Sequence, residues 1–195
     1  MAVTGAILAG GRASRLGGRA KGLEVVSGRR MVDRVHDALR EVTASVVLAG
    51  GSEALAAALG LALVADEPPG SGPLGGIAGA LAATGGDVLV VAWDMPWVTA
   101  DVLRPLLATP DGGPGAAWRV AGRIEPLCAL YRRSALAPLR ARLRAGERRA
   151  REVAESIGLA VLDGSALDPR VFASVNTAEE LAVARGQAPA TIDTH

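Results

Sequence analysis

Lys21 is the only lysine in a chain of 195 residues whose other positive charges are twenty arginines, and Asn176 is its only asparagine. A composition this poor in both would put arginine or another polar residue at an indifferent surface position, so each survivor marks a candidate chemical requirement. Lys21 lies near the end of LAGGRASRLGGRAKG, residues 8–22, where five glycines are interspersed with Arg12, Ser14, Arg15, Arg19 and Lys21 behind a short apolar run. Glycines let backbone N–H groups approach an anion closely, arginine forks phosphate oxygens, and lysine adds a compact point charge. The stretch holds neither G-x-x-x-x-G-K-[ST] nor G-x-G-x-x-G, which excludes the Walker and dinucleotide types of phosphate loop. A plain surface loop would account for the glycines but not for a run of charges that are all positive.

The second candidate is Asp94 in VLVVAWDMPW, residues 88–97, where it follows six apolar residues. A carboxylate at the carboxyl end of a central strand is costly without a partner. A magnesium ion bridging phosphate oxygens would be such a partner, because Mg²⁺ is commonly held by one or two carboxylates plus substrate oxygens. The plainer alternative is a turn-forming aspartate ahead of Pro96. Asp66 ends LALVAD in the same way, with a ligand role and a turn role both open. Beyond it lies the loop-like EPPGSGPLGG, residues 67–76, in which Gly70, Gly72 and Gly75 spell a literal G-x-G-x-x-G. That match sits past the strand and carries Pro73, so it lacks the dinucleotide context, although so little side-chain bulk would let a flat base lie against backbone groups. In FASVNTAEEL, residues 172–181, either Thr177 with Glu180 forms a capping box or Asn176 with Glu179 caps the last helix. GERRAREV, residues 146–153, reads as a solvated helix face, a substrate role for its three arginines being the alternative.

Elements must bring these residues together. Continuous aliphatic runs at 3–9, 45–49, 61–65 and 88–93 suit strands buried on both faces of a parallel sheet, with looser runs at 115–120, 127–132 and 159–162. Helical patterns fall between them at 31–42, 77–83, 100–107, 135–143 and 178–185; in the first, Val35, Leu39 and Val42 share a stripe largely opposite Arg34, Asp37, Arg40 and Glu41. The alternation predicts a single-domain, three-layer α/β fold, a mostly parallel sheet of βαβ units with right-handed crossovers and helices on both faces. The domain is expected over residues 1–187, with 188–195 as a flexible tail. In such sheets ligands sit beyond the carboxyl ends of the strands, where the motifs of Lys21, Asp66 and Asp94 fall.

Composition excludes several classes. Net charge is +1, so no global field draws the chain onto nucleic acid or an anionic membrane, and bound anions must be held locally. A single cysteine, Cys128, and two histidines, His36 and His195, leave no disulfide framework and no Cys/His zinc cluster. The longest uncharged apolar run, 54–65, reads as a core helix and strand, being well short of the roughly 20 residues that span a bilayer. Glycines and Arg12 interrupt the first apolar run with no basic region ahead of it, so a soluble, cytoplasmic protein is expected.

In their order and spacing these motifs resemble the molybdenum cofactor guanylyltransferases, within the wider group of sugar-nucleotide and cytidylyl transferases that share a Rossmann-like nucleotide-binding α/β domain. The likeness runs from Ala6 to about Leu181: LAGGRASRLGGRAKG matches the opening signature, PPGSGPLGGI the Pro/Gly loop, WDMP the metal-binding carboxylate and VNTAEEL the closing motif. It implies transfer of GMP from GTP to the terminal phosphate of Mo-molybdopterin, with Mg²⁺ as cofactor and molybdopterin guanine dinucleotide and pyrophosphate as products. It implies guanine and ribose on the backbone of Leu8, Ala9 and Gly10, with Gly11, Arg12 and Ser14 in the same loop. Lys21 and Arg15 would act on the phosphates, Asp66 on the nucleoside, Asp94 on both nucleotide and Mg²⁺, and Asn176 on substrate. Transient contact with proteins that deliver molybdopterin or receive the finished cofactor would follow. LAGG with GPLGGI resembles the GTP-using more than the CTP-using branch. Two positions depart from the pattern: Ala20 stands where aspartate usually precedes the signature lysine, which is expected to loosen Lys21, and Ser174 where a further asparagine is frequent, which weakens the likeness on the pterin side. A CTP-dependent or sugar-phosphate transferase of the same fold, and a GTP-binding regulator without turnover, are the rival readings.

Overall fold

The computed structural model describes residues 2–9, 15–16 and 19–186, with backbone alone at 15, 16 and 19. Strand β1 (Thr4–Leu8) precedes two short antiparallel pairs, β2 (Arg15–Leu16) with β3 (Arg19–Ala20) and β4 (Val25–Val26) with β5 (Arg29–Arg30). A 3-10 turn, Lys21–Leu23, joins the pairs. Next come α1 (Met31–Val42), β6 (Ser45–Ala49), α2 (Glu53–Leu59), β7 (Ala62–Val64), α3 (Pro73–Thr84), β8 (Val88–Ala92) and α4 (Ala100–Leu107). They are followed by β9 (Gly115–Val120), β10 (Arg123–Tyr131), α5 (Leu136–Arg144), α6 (Ala150–Ser156), β11 (Ala160–Asp163) and α7 (Ala178–Gly186).

Seven strands form one sheet in the order β11-β9-β10-β8-β1-β6-β7. Pairings are parallel except those of β10, which is antiparallel to both β8 and β9. Successive side chains of a strand face opposite ways, and here both ways lead to apolar cover. Ile7, Leu89 and Val91 join one core with Val35 and Leu39 of α1 and Leu103 and Leu106 of α4. Ala6, Leu8, Val88 and Val90 join the other with Ile77 and Leu81 of α3 and Leu139 and Leu143 of α5. This two-sided burial is why the central strands read as continuous aliphatic runs, and it gives the expected three layers.

The differences from expectation are local. The loose run at 127–132 belongs to a longer strand that begins at Arg123 and runs antiparallel, because Ala121 (φ 48°) and Gly122 (φ 76°) close a tight hairpin with β9. Two consecutive left-handed residues make the primed turn that favours such hairpins, so this part of the sheet is not a βαβ unit. Residues 73–76, expected as loop, are instead the first turn of α3, with Pro73 where its missing N–H costs no helical bond. Leu74 to Leu81 are buried throughout, so packing and not propensity holds this glycine-rich helix. Of the 146–153 stretch expected as a helix face, only 150–153 are helical: α6 exposes Arg151 and Glu152 and buries Val153 and Ala154, while Arg148 and Arg149 precede it, Arg149 as its extended N-cap residue. At α7 the capping box belongs to Thr177 and Glu180: the Glu180 amide donates to Thr177 Oγ1 at 3.1 Å and the Thr177 amide to Glu180 Oε2 at 3.0 Å. The tail, 188–195, lies outside the described residues. No helix among those described is long and apolar enough to cross a membrane.

Candidate active site

Three of the candidate residues meet at the carboxyl end of β8. Asp94 follows it by two residues, 7% exposed, in a turn where the Met95 amide donates to the Ala92 carbonyl at 3.2 Å. Its Oδ2 accepts a short hydrogen bond, which is also an ion pair, from Nζ of Lys21, itself 5% exposed. The same ammonium donates to Asn176 Oδ1 at 2.7 Å. The only lysine and the only asparagine, separated by 155 positions, therefore meet at one strand-end carboxylate.

Local packing fixes this meeting. Gly22, beside Lys21, lies so close to the Trp93 indole that a Cβ there would stand 2.4 Å from Trp93 Cε3. The 3-10 turn can press its backbone onto the aromatic ring only because the side chain is missing. From the other side the Val175 amide donates to the Asp94 main-chain carbonyl at 3.0 Å, so the segment bearing Asn176 is tied to the turn that carries Asp94. Desolvating an ammonium and a carboxylate costs several kcal/mol per ion, which their attraction offsets only when geometry is good and further hydrogen bonds are made. The Asn176 amide supplies one such bond. Ala20, in β3, leaves Lys21 held by Asp94 and Asn176.

Asp66 stands on the other flank, past β7. Helix α3 is drawn against it through Gly79, where a Cβ would lie 2.1 Å from the Ala65 carbonyl oxygen, and the Glu67 amide donates to the Gly75 carbonyl at 2.9 Å. Burial holds the Asp66 carboxyl above its ordinary value. The folded chain therefore binds this proton more tightly than the unfolded chain does. Its penalty on stability is absent below the ordinary carboxylate range and grows as pH rises through the raised folded value. Asp66→Asn is expected to raise the melting temperature of the unliganded protein by about 1–2 °C near neutral pH, the gap closing at about pH 3. Scanning calorimetry across pH checks this, and a gap independent of pH would contradict it.

Among the other expected site residues, Leu8 and Ala9 are buried at the end of β1. The Leu8 carbonyl accepts from the Trp93 amide at 3.2 Å and the Ala9 amide donates to the Ala49 carbonyl at 2.9 Å, so part of this backbone is committed to the sheet. Arg15 is in β2, its backbone opposite Ala20 and so next to Lys21. Gly10, Gly11, Arg12 and Ser14 lie outside the described residues. No three His, Cys, Asp or Glu side chains cluster as a metal cage among the described residues. Asp94 as a single carboxylate suits an ion that takes its remaining ligands from substrate oxygens and water, as Mg²⁺ does. The indole under Gly22 and a cavity beside Met95 and Glu125 escape reasoning from sequence, since neither follows from spacing.

Comparison with known proteins gives a consistent picture. Residues 5–187 match the family model described as the MobA-like NTP transferase domain. A molybdenum cofactor guanylyltransferase of Cereibacter sphaeroides is 37% identical over 191 residues, covering 93% of this chain and 95% of that one. A probable molybdenum cofactor guanylyltransferase of Pelotomaculum thermopropionicum is 39% identical over 143 residues, 73% of this chain and 69% of its own. Among solved structures, molybdopterin-guanine dinucleotide biosynthesis protein A of Archaeoglobus fulgidus superposes with a TM-score of 0.77 at 25% identity, covering 94% of this chain and 97% of that one.

Proposed function

The chain belongs to the MobA-like NTP transferase domain family, and from that premise we propose that it is a molybdenum cofactor guanylyltransferase, moving GMP from GTP to the terminal phosphate of Mo-molybdopterin. The observation that carries this reading is the burial of the only lysine against a strand-end aspartate, with the only asparagine as its second partner. Residues 1–187 make up the transferase domain, and its setting is the cytoplasm.

A phosphate monoester has a second pKa of about 6, so near pH 7 the acceptor is already mostly dianionic and attacks without a general base. Its oxygen forms a new bond to the α-phosphorus of GTP while the bridging P–O bond to the β-phosphorus breaks, and pyrophosphate leaves with the electron pair. The protein's work is alignment and neutralisation of spreading negative charge. An ammonium has three N–H donors. Two of those on Lys21 go to Asp94 and Asn176, and the third is aimed at phosphate oxygens, with Arg15 beside it. Asn176 acts on substrate through the lysine it orients. Leu8, Ala9, Gly10 and Asp66 hold the nucleoside, and Gly11, Arg12 and Ser14 line the triphosphate. Membership of a nucleotidyltransferase family points to a divalent metal; Asp94 would bind Mg²⁺, which when bound supplies charge neutralisation at the phosphate oxygens.

Purified protein with Mg²⁺ and Mo-molybdopterin, offered each of the four ribonucleoside triphosphates, is expected to release pyrophosphate with GTP and to form the guanine dinucleotide. Preferential turnover of CTP, or turnover with a sugar phosphate in place of the pterin, would move the assignment to the related transferases. Tight GTP binding without pyrophosphate release would make the chain a regulator.

A further inference from the structure

The strand order gives Asp94 two flanks. On one side lie β1, β6 and β7 with Asp66 beyond them; on the other lies β10, whose antiparallel pairing with β8 (Cys128 opposite Val91) carries Glu125 toward the end of the sheet where Asp94 stands. Here a cavity of about 370 Å³ opens, lined by Met95, Glu125, Arg151, Phe172 and Ser174. Its wall is continuous with the Lys21–Asp94 pair. Met95 follows Asp94 directly, Ser174 precedes the Val175 amide that bonds the Asp94 carbonyl, and the Ser174 carbonyl accepts from Asn176 Nδ2 at 3.3 Å. A ligand seated in the cavity can therefore present a phosphate tail to the ammonium.

The lining selects the ligand's chemistry. Met95 and Phe172, 3% and 6% exposed and packed into the core, give the cavity an apolar floor against which a flat heterocycle can rest. Glu125 is half-buried, and its carboxylate has no hydrogen-bond or ion-pair partner among the described residues. Burial raises its proton affinity, partly offset by Arg151 and Arg123. Arg151, which also lines the cavity, is anchored by its Nε to the Ile124 carbonyl at 3.1 Å. A carboxylate partly withdrawn from water is best satisfied by two N–H donors side by side. A 2-amino-4-oxopyrimidine ring offers that pair at its N3–H and 2-amino group.

We propose that this cavity seats the pterin of the acceptor and that Glu125 is its specificity residue, accepting hydrogen bonds from the N3–H and 2-amino edge. The proposal rests on the guanylyltransferase reading for the acceptor's identity, but its binding test does not. Guanine carries the same edge, and the topology separates the two: the nucleoside flank is that of Asp66, across β1 from β10.

Binding without turnover is measured first, by fluorescence titration with pterin and with lumazine, the same bicycle bearing oxygen in place of the 2-amino group. The wild-type protein is expected to prefer the pterin at least tenfold, and Glu125→Gln to lose that preference while its GTP affinity stays unchanged and its melting temperature does not fall. With Mo-molybdopterin as acceptor, the same variant is expected to raise the acceptor KM tenfold or more and leave the GTP KM within twofold. No preference in the wild type, including no measurable binding of either compound, overturns the proposal. So does a preference that survives in Glu125→Gln, or a GTP KM that rises in place of the acceptor KM. A chain that prefers the pterin yet transfers no GMP would uphold this inference and defeat the guanylyltransferase reading, so the two failures stay distinct.

Discussion

Lys21→Ala is expected to lower turnover at saturating GTP and acceptor by about 10²–10³-fold, the loss typical when one preorganised charge donor to a developing anion is removed. The site holds this ammonium from two sides, by Asp94 and by Asn176, in a pocket where it is 5% exposed. On the proposed reading a lysine so placed would keep its geometry through the reaction without reorganisation, and low surrounding polarity would strengthen its hold on phosphate oxygens. Lys21→Arg is expected to leave turnover low, because a planar fork with a longer reach cannot occupy the place of a compact ammonium against the same two acceptors. Steady-state kinetics with both substrates varied decides the point. A variant with normal kcat and only a raised KM for GTP would reduce Lys21 to a ground-state anchor.

How far the sequence announces this arrangement differs from element to element. Strands β1 and β8 are plain because burial on both faces requires unbroken aliphatic runs. The β9–β10 hairpin is hidden because its turn places an alanine at φ 48°, a conformation that no propensity assigns to that residue. The start of α3 is hidden for the opposite reason: Pro73, Gly75 and Gly76 carry loop chemistry, and only the close approach of the helix to the chain at Ala65 makes them helical. In the site, rarity picks out Lys21 and Asn176, and a charge at the end of an apolar run picks out Asp94. Their direct contact could not be read, since it joins positions 73 and 155 residues apart and depends on an indole pressed against Gly22.

That contact also separates structure from catalysis. Lys21→Met and Asp94→Asn each leave an almost fully buried charge without its counter-ion, and each is expected to destabilise the unliganded protein by about 3–5 kcal/mol, a fall of roughly 6–20 °C in melting temperature for a chain of this size. The double variant removes both charges and leaves neither uncompensated, so its loss should be smaller than the sum by about 1–3 kcal/mol. Activity should not follow stability. Asp94→Asn, which on the proposed reading removes a substrate- and metal-binding carboxylate, is expected to lower turnover by at least about 10²-fold, and the double variant to remain as inactive as the worse single one despite its recovered fold. Urea unfolding and pyrophosphate release on the four proteins complete the cycle. Additive stability losses would show that the two charges are not one buried unit, and recovered turnover in the double variant would show that the pair only props up the fold.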